Sequence, residues 1–149
     1  KPLPFKSVLI TGPFMPKNKR RKIFKRARKL GVRGYHFYRQ MEKIFAAGDL
    51  AVCMGGYNTL CEILSQGTPS LVIPRETPRK EQLIRAQAFK RYNLVDFIPW
   101  AELEPNILQD KILSFLENSE PYLEAISQFR FSGIETMQQR IQGFRSKRS

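Results

Sequence analysis

The chain has 149 residues, 42% of them hydrophobic and 11% aromatic, with 26 Lys or Arg, 13 acids and a formal net charge of +13. That length suits about one domain with a real core. It carries no apolar run near the ~20 residues that a membrane span needs, no visible secretory signal, and too few cysteines for a disulfide framework.

The two cysteines, Cys53 and Cys61, read as reduced, packed thiols of a cytosolic protein. The one histidine, His36, has no Cys/His cluster around it, so no metal site is expected. The chain starts at Lys1 rather than at a methionine, and is expected to be a piece of something longer. Its charge is uneven: residues 1–48 hold 14 Lys or Arg and a single acid, Glu42, while the rest is balanced at 12 of each. Such a block steers toward nucleic acid, an anionic membrane surface or a phosphorylated ligand. A plain solvated helix face is the competing reading.

In chain order, Ser7 to Thr11 reads as a short buried strand closed by Gly12-Pro13. A helix follows from about Lys17 to Leu30, with Ile23, Phe24, Ala27 and Leu30 as its apolar stripe and a basic opposite face. Val32 to Phe37 forms a second strand, then comes a short helix ending near Ala47-Gly48. Asp49 to Met54 is the third strand, and the next helix is predicted from about Thr59 to Gln66, stopped by Gly67. Ser70 to Ile73, between two prolines, gives a fourth strand. A polar loop over 75–80 enters a helix reaching Tyr92, and Leu94 to Ile98 is a fifth strand. Glu104-Pro105 starts a helix whose stripe is Leu108, Ile112, Phe115 and Leu116. The remainder, 121–149, is expected to be a helical tail with a frayed basic end.

Short β-branched strands alternating with helices predict an α/β domain, a Rossmann-like parallel sheet with helices on both faces. In such open sheets ligands bind at the carboxyl ends of the strands. Gly12, Phe37-Tyr38, Gly55-Gly56 and Arg75 fall at those ends. The run Asp49 to Glu62 is the most informative: an apolar strand turns on two glycines straight into a helix, whose first N–H groups and dipole suit a phosphate or another anion. It is neither a GxGxxG fingerprint nor a P-loop. Thr59-Leu-Cys-Glu62 matches a capping box, which would make Glu62 a structural residue. The alternative is a carboxylate accepting hydrogen bonds from sugar hydroxyls. Arg75, Arg79 and Lys80, followed by Glu81-Gln82, make the next loop rich in hydrogen-bonding groups, though an ordinary surface loop has the same composition.

Gly55-Gly-Tyr-Asn-Thr-Leu-Cys-Glu62, then Gly67-Thr-Pro-Ser-Leu-Val-Ile-Pro74, then Glu81-Gln82-Leu-Ile-Arg-Ala86 resembles the C-terminal half of a GT-B glycosyltransferase. The similarity is to family 28-like enzymes, the type that includes the N-acetylglucosaminyltransferase of lipid II synthesis, and it covers roughly residues 7 to 116. The resemblance implies that Gly12 and the backbone of Gly55, Gly56, Tyr57, Asn58 and Thr59 face the diphosphate of a nucleotide sugar. It implies that Phe37 and Tyr38 lie against the base, that Glu62 holds the ribose hydroxyls, and that Glu81 and Gln82 contact the donor sugar. Arg75 is added as a local cation for the diphosphate. The chain departs from these relatives where the first loop reads Gly-Pro-Phe-Met-Pro rather than a Gly-Ser-rich turn, and where Glu81 replaces a second Gln.

The expectation is therefore a single Rossmann-like donor-binding domain of an inverting, metal-independent glycosyltransferase using a UDP-sugar such as UDP-N-acetylglucosamine, with no cofactor. Its N-terminal acceptor domain, with the general base, is expected to be missing, so this fragment alone should bind donor and hardly turn over. A cytoplasmic place is expected, with peripheral contact to an anionic membrane through the basic third. Two rivals are a basic nucleic-acid-binding module, for which no fold signature or interleaved aromatics are found, and half of a sugar-nucleotide epimerase.

Overall fold

The computed structural model describes residues 5–129, and the chain divides into two compact units, Lys1–Lys43 and Ile44–Ser149. In the first, β1 (Val8–Ile10) and β2 (Arg33–Tyr35) run parallel with Leu9 opposite Gly34, joined by α1 (Lys17–Lys29). Nine of the thirteen α1 residues are Lys or Arg. Its apolar stripe packs toward β2, with Ala27 buried. Gly34 is fixed by that packing: a Cβ there would stand 2.7 Å from the Phe24 ring. The predicted stripe stops one turn early. Leu30 is the C-cap rather than a helical residue and stays 46% exposed, and Gly31 turns the chain away at φ +76°.

The second unit begins near the end of α2 (Met41–Ala46) and holds a three-stranded parallel sheet in the order β3 (Ala51–Cys53), β4 (Ser70–Val72), β5 (Val95–Phe97). Each strand is shorter than its apolar run predicts, because the flanking residues already belong to the turns. β4 is the buried centre, and successive side chains along it leave on opposite faces. Val72 joins Leu60 and Leu64 of α3 (Tyr57–Ser65) and Ala86 of α4 (Glu81–Lys90). Leu71 faces the other way, onto Ile98 and Phe115 of α5 (Pro105–Glu117). The last helix among the described residues, α6 (Glu120–Gln128), serves both sides: Ile126 enters the first cluster, and Tyr122 stacks on Phe115 at 4.2 Å. The parallel sheet with helices on both faces is the predicted architecture. The expected tail beyond residue 129 lies outside the described residues. Among those residues, no helix is long and apolar enough to cross a membrane.

β5 also carries a charge that the apolar pattern of Leu94 to Ile98 conceals. Asp96 is 6% exposed, accepts hydrogen bonds from Lys90, from Lys111 at 2.8 Å and from the Phe97 N–H at 2.8 Å, and is thereby compensated. Burial alone raises its pKa, but the hydrogen bonds from Lys111, Lys90 and Phe97 together outweigh burial and hold it below the ordinary carboxylate range. A lowered folded-state pKa means that the stabilisation is present above the unfolded value near 3.9 and is lost as pH falls through the folded one. Asp96→Ala should cost about 1.5–3 kcal/mol in urea unfolding at pH 7. The gap between wild type and variant should close as the pH is taken below about 4.

Candidate functional site at the carboxyl edge of the second sheet

After β3 the chain turns on Gly55, whose φ of +81° is left-handed, and a Cβ there would meet Val72 Cγ1 at 2.7 Å. Only glycine satisfies both the dihedral and the contact. The Gly55 N–H donates to the Cys53 side chain; burial pushes that thiol's pKa up, and the Gly55 bond offsets part of the rise. Gly56 then takes an extended conformation, φ −59° and ψ 140°, and caps α3 without any side-chain hydrogen bond.

The helix therefore begins at Tyr57, two residues before the predicted Thr59, and the capping box does not form. Thr59 is the third helical residue instead of the cap, and Glu62 is the sixth. The first bond of the helix is Leu60 N–H to the Gly56 carbonyl at 2.9 Å, so the N–H groups of Tyr57, Asn58 and Thr59 have no helical acceptor. The Glu62 side chain is exposed and engages nothing among the described residues; only its backbone carbonyl is used, by Ser65. A carboxylate one turn along the helix from free N–H donors is thus available to a ligand. The Tyr57 phenol sits above its usual pKa range, chiefly through its hydrogen bond with Cys61, with Arg85 pulling the other way.

Facing the turn is the loop from β4 to α4. Gln82 Oε1 accepts the Arg75 N–H at 2.9 Å, so its carboxamide oxygen holds this loop and its NH₂ group is left for other contacts. Glu76 accepts the Trp100 N–H at 2.9 Å and pins the same loop to the segment after β5. Glu81 and Arg79 form an exposed ion pair at 3.6 Å, of a kind that contributes little. Together these elements enclose an open cleft of about 520 Å³, with Gly56 and Tyr57 on one side and Arg75, Glu81 and Gln82 on the other.

Five of the sequence-predicted residues thus line one cleft, and Gly55, Asn58, Thr59 and Glu62 adjoin it on the same turn and helix. Gly12, with φ +76° just past β1, and Phe37 and Tyr38, just past β2, belong to the first unit and are positioned within it. There Tyr38 packs edge-on against Tyr35 at 5.6 Å, and Phe37 is largely exposed. Sequence reasoning missed Arg85. It lines the cleft, donates from Nη1 to the Gly55 carbonyl at 2.8 Å, and lies 5.5 Å over the Tyr57 ring. The available signal was its position three residues after Gln82, on the same face of α4.

A parallel sheet whose turn and helix N-terminus open onto a cleft lined by Arg75, Arg79 and Arg85 is the arrangement in which open α/β sheets place their ligand sites. Residues 3–141 match the model of the glycosyltransferase family 28 C-terminal domain, and the chain belongs to that family. Among its relatives, the UDP-N-acetylglucosamine--N-acetylmuramyl-(pentapeptide) pyrophosphoryl-undecaprenol N-acetylglucosamine transferase of Oceanobacillus iheyensis is 34% identical over 76 residues, covering 50% of this chain and 21% of that protein. The enzyme of the same name from Streptococcus agalactiae is 35% identical over 82 residues, 54% of this chain and 23% of that protein. The chain thus spans roughly a fifth to a quarter of these curated relatives. In structure it resembles MurG of Acinetobacter baumannii, with a TM-score of 0.69 at 15% identity over 96% of this chain and 50% of that one. It also resembles the glycosyltransferase VinC in complex with dTDP, with a TM-score of 0.60 at 17% identity over 85% of this chain and 37% of that one. The fold is that of the GT-B glycosyltransferases.

Proposed function

We propose that this chain is the donor-binding domain of an inverting glycosyltransferase that transfers a hexosyl group from a UDP-sugar, UDP-N-acetylglucosamine foremost, to an acceptor hydroxyl. The observation that carries the reading is the pairing of uncapped N–H donors at Tyr57–Thr59 with an unengaged Glu62 farther along the same helix. At a rise of about 1.5 Å per residue, Glu62 stands roughly 7 Å along the axis from the first donors. That spacing suits a ligand with a diphosphate at one end and a vicinal diol beyond it. The names of the relatives, which specify UDP-N-acetylglucosamine, support the choice of donor.

Chemically, the leaving nucleoside diphosphate gathers negative charge as the acceptor attacks the anomeric carbon. Fixed N–H groups, the α3 dipole and the Arg75 side chain lower the barrier by stabilising that charge as it develops. Glu81 and the Gln82 NH₂ group are left to orient the sugar. Gly12, Phe37 and Tyr38 complete the reading as contacts to the diphosphate and base. The acceptor and the general base are assigned to an N-terminal domain of the same protein. The basic face of α1, all exposed save Arg20, is read as the surface that meets anionic headgroups, which gives a cytoplasmic protein peripheral to the membrane.

Calorimetric titration of the chain with UDP and UDP-N-acetylglucosamine should give saturable one-to-one binding, weakened when uridine replaces UDP. Absence of such binding, alongside association with nonspecific RNA on a steep salt slope, would overturn it in favour of a basic nucleic-acid module.

A further inference from the structure

The Gly55–Gly56 peptide lies between two residues that both tolerate a change of backbone state. A planar trans peptide holds its C=O and its N–H on opposite sides. The carbonyl of this peptide is gripped by Arg85 Nη1 at 2.8 Å, and the Arg85 guanidinium is itself steadied over Tyr57. The N–H of Gly56 therefore points away from Arg85, and it has no acceptor among the described residues. Turned over, this peptide would present a carbonyl oxygen in place of that N–H, an acceptor where an anion is to be held. The turn-over carries Gly56 to positive φ, a region that glycine enters freely.

We propose that Arg85 is a positioning residue that latches the Gly55–Gly56 peptide, keeping the Gly56 N–H available as a donor beside those of α3. The latch rests on the donor-site reading for its purpose, but its geometry is testable without ligand. In ¹⁵N–¹H spectra of the ligand-free chain, Arg85→Ala should broaden or double the amide signals of Gly55, Gly56 and Tyr57 and leave those of β4 and β5 sharp. Adding Gly56→Ala to that variant, which penalises positive φ, should restore single sharp signals. If the alanine variant does not fold, Arg85→Gln, shorter and uncharged, is read in the same way. With UDP, Arg85→Ala should bind about tenfold more weakly than wild type.

An unchanged Gly56 signal in Arg85→Ala overturns the latch, as does broadening that Gly56→Ala fails to quench. A tenfold loss of UDP affinity that Arg85→Lys restores in full, with no broadening in Arg85→Ala, also overturns it by making Arg85 a charge on the anion. Failure of wild type to bind UDP would count against the donor reading alone, because the spectral test of the latch does not depend on ligand.

Discussion

Glu62→Ala is expected to weaken UDP and UDP-sugar binding by about ten- to a hundredfold, the equivalent of roughly 1.5–3 kcal/mol for hydrogen bonds to a charged group. Its melting temperature should stay within about 2 °C of wild type, since exposed substitutions of this kind usually change stability by no more than about 0.5 kcal/mol. The separation of the two effects follows from where α3 starts. Had Thr59 been the cap, Glu62 would reach back to its N–H, and its loss would cost about 1 kcal/mol of helix stability with little reason to touch ligand affinity. With Gly56 as cap and Tyr57 as first helical residue, the Glu62 side chain supports nothing in the fold. Measuring affinity and melting on one variant therefore discriminates the roles. A melting temperature lowered by several degrees with affinity intact would restore the capping role.

Gly55→Ala should act the opposite way, through the fold. An alanine at φ +81° costs about 1–2 kcal/mol in backbone strain. Its methyl would also stand 2.7 Å from Val72 Cγ1, at the buried carboxyl end of β4, where overpacking typically costs about 1–3 kcal/mol. The expected sum is roughly 2–5 kcal/mol lost in urea unfolding, with UDP binding lost along with the turn. Gly56→Ala is the control for stability. Its φ of −59° suits any residue and its Cβ has room, so it should unfold like wild type. Equal destabilisation by both substitutions would show that the double glycine matters for flexibility rather than for the dihedral and the close contact at Gly55.

The sequence pattern revealed the order of elements and the turn-and-helix motif of the candidate site, but not the details that depend on exact dihedrals. The letters Thr59-x-x-Glu62 satisfy a capping box, yet the helix start is decided two residues earlier by the conformations of Gly55 and Gly56, which periodicity does not report. The strands were legible as apolar runs, and their trimming to three residues reflects where the parallel ladders end. Asp96 was hidden inside such a run because its partners, Lys90 and Lys111, sit on helices before and after it and meet only in the folded chain. Arg85 escaped for the same reason: its partner, the Gly55 carbonyl, lies 30 residues away in sequence. Gly34 carries no motif, and only the Phe24 ring against it explains why glycine stands there. The residues that were legible, Gly56, Tyr57 and Glu62, belong to a compact motif whose spacing is fixed by one turn and one helix start, and Gln82 stands at the start of the next helix.

Following the backbone amides of the ¹⁵N-labelled chain during titration with UDP decides whether the β3–α3 turn is the phosphate end of a nucleotide site. Saturating shifts should appear at Gly56, Tyr57, Asn58 and Thr59, extend along α3 to Glu62, and include Gln82 and Arg85 across the cleft. UDP that leaves these amides unmoved, or that perturbs only the basic residues of α1, would contradict the assignment.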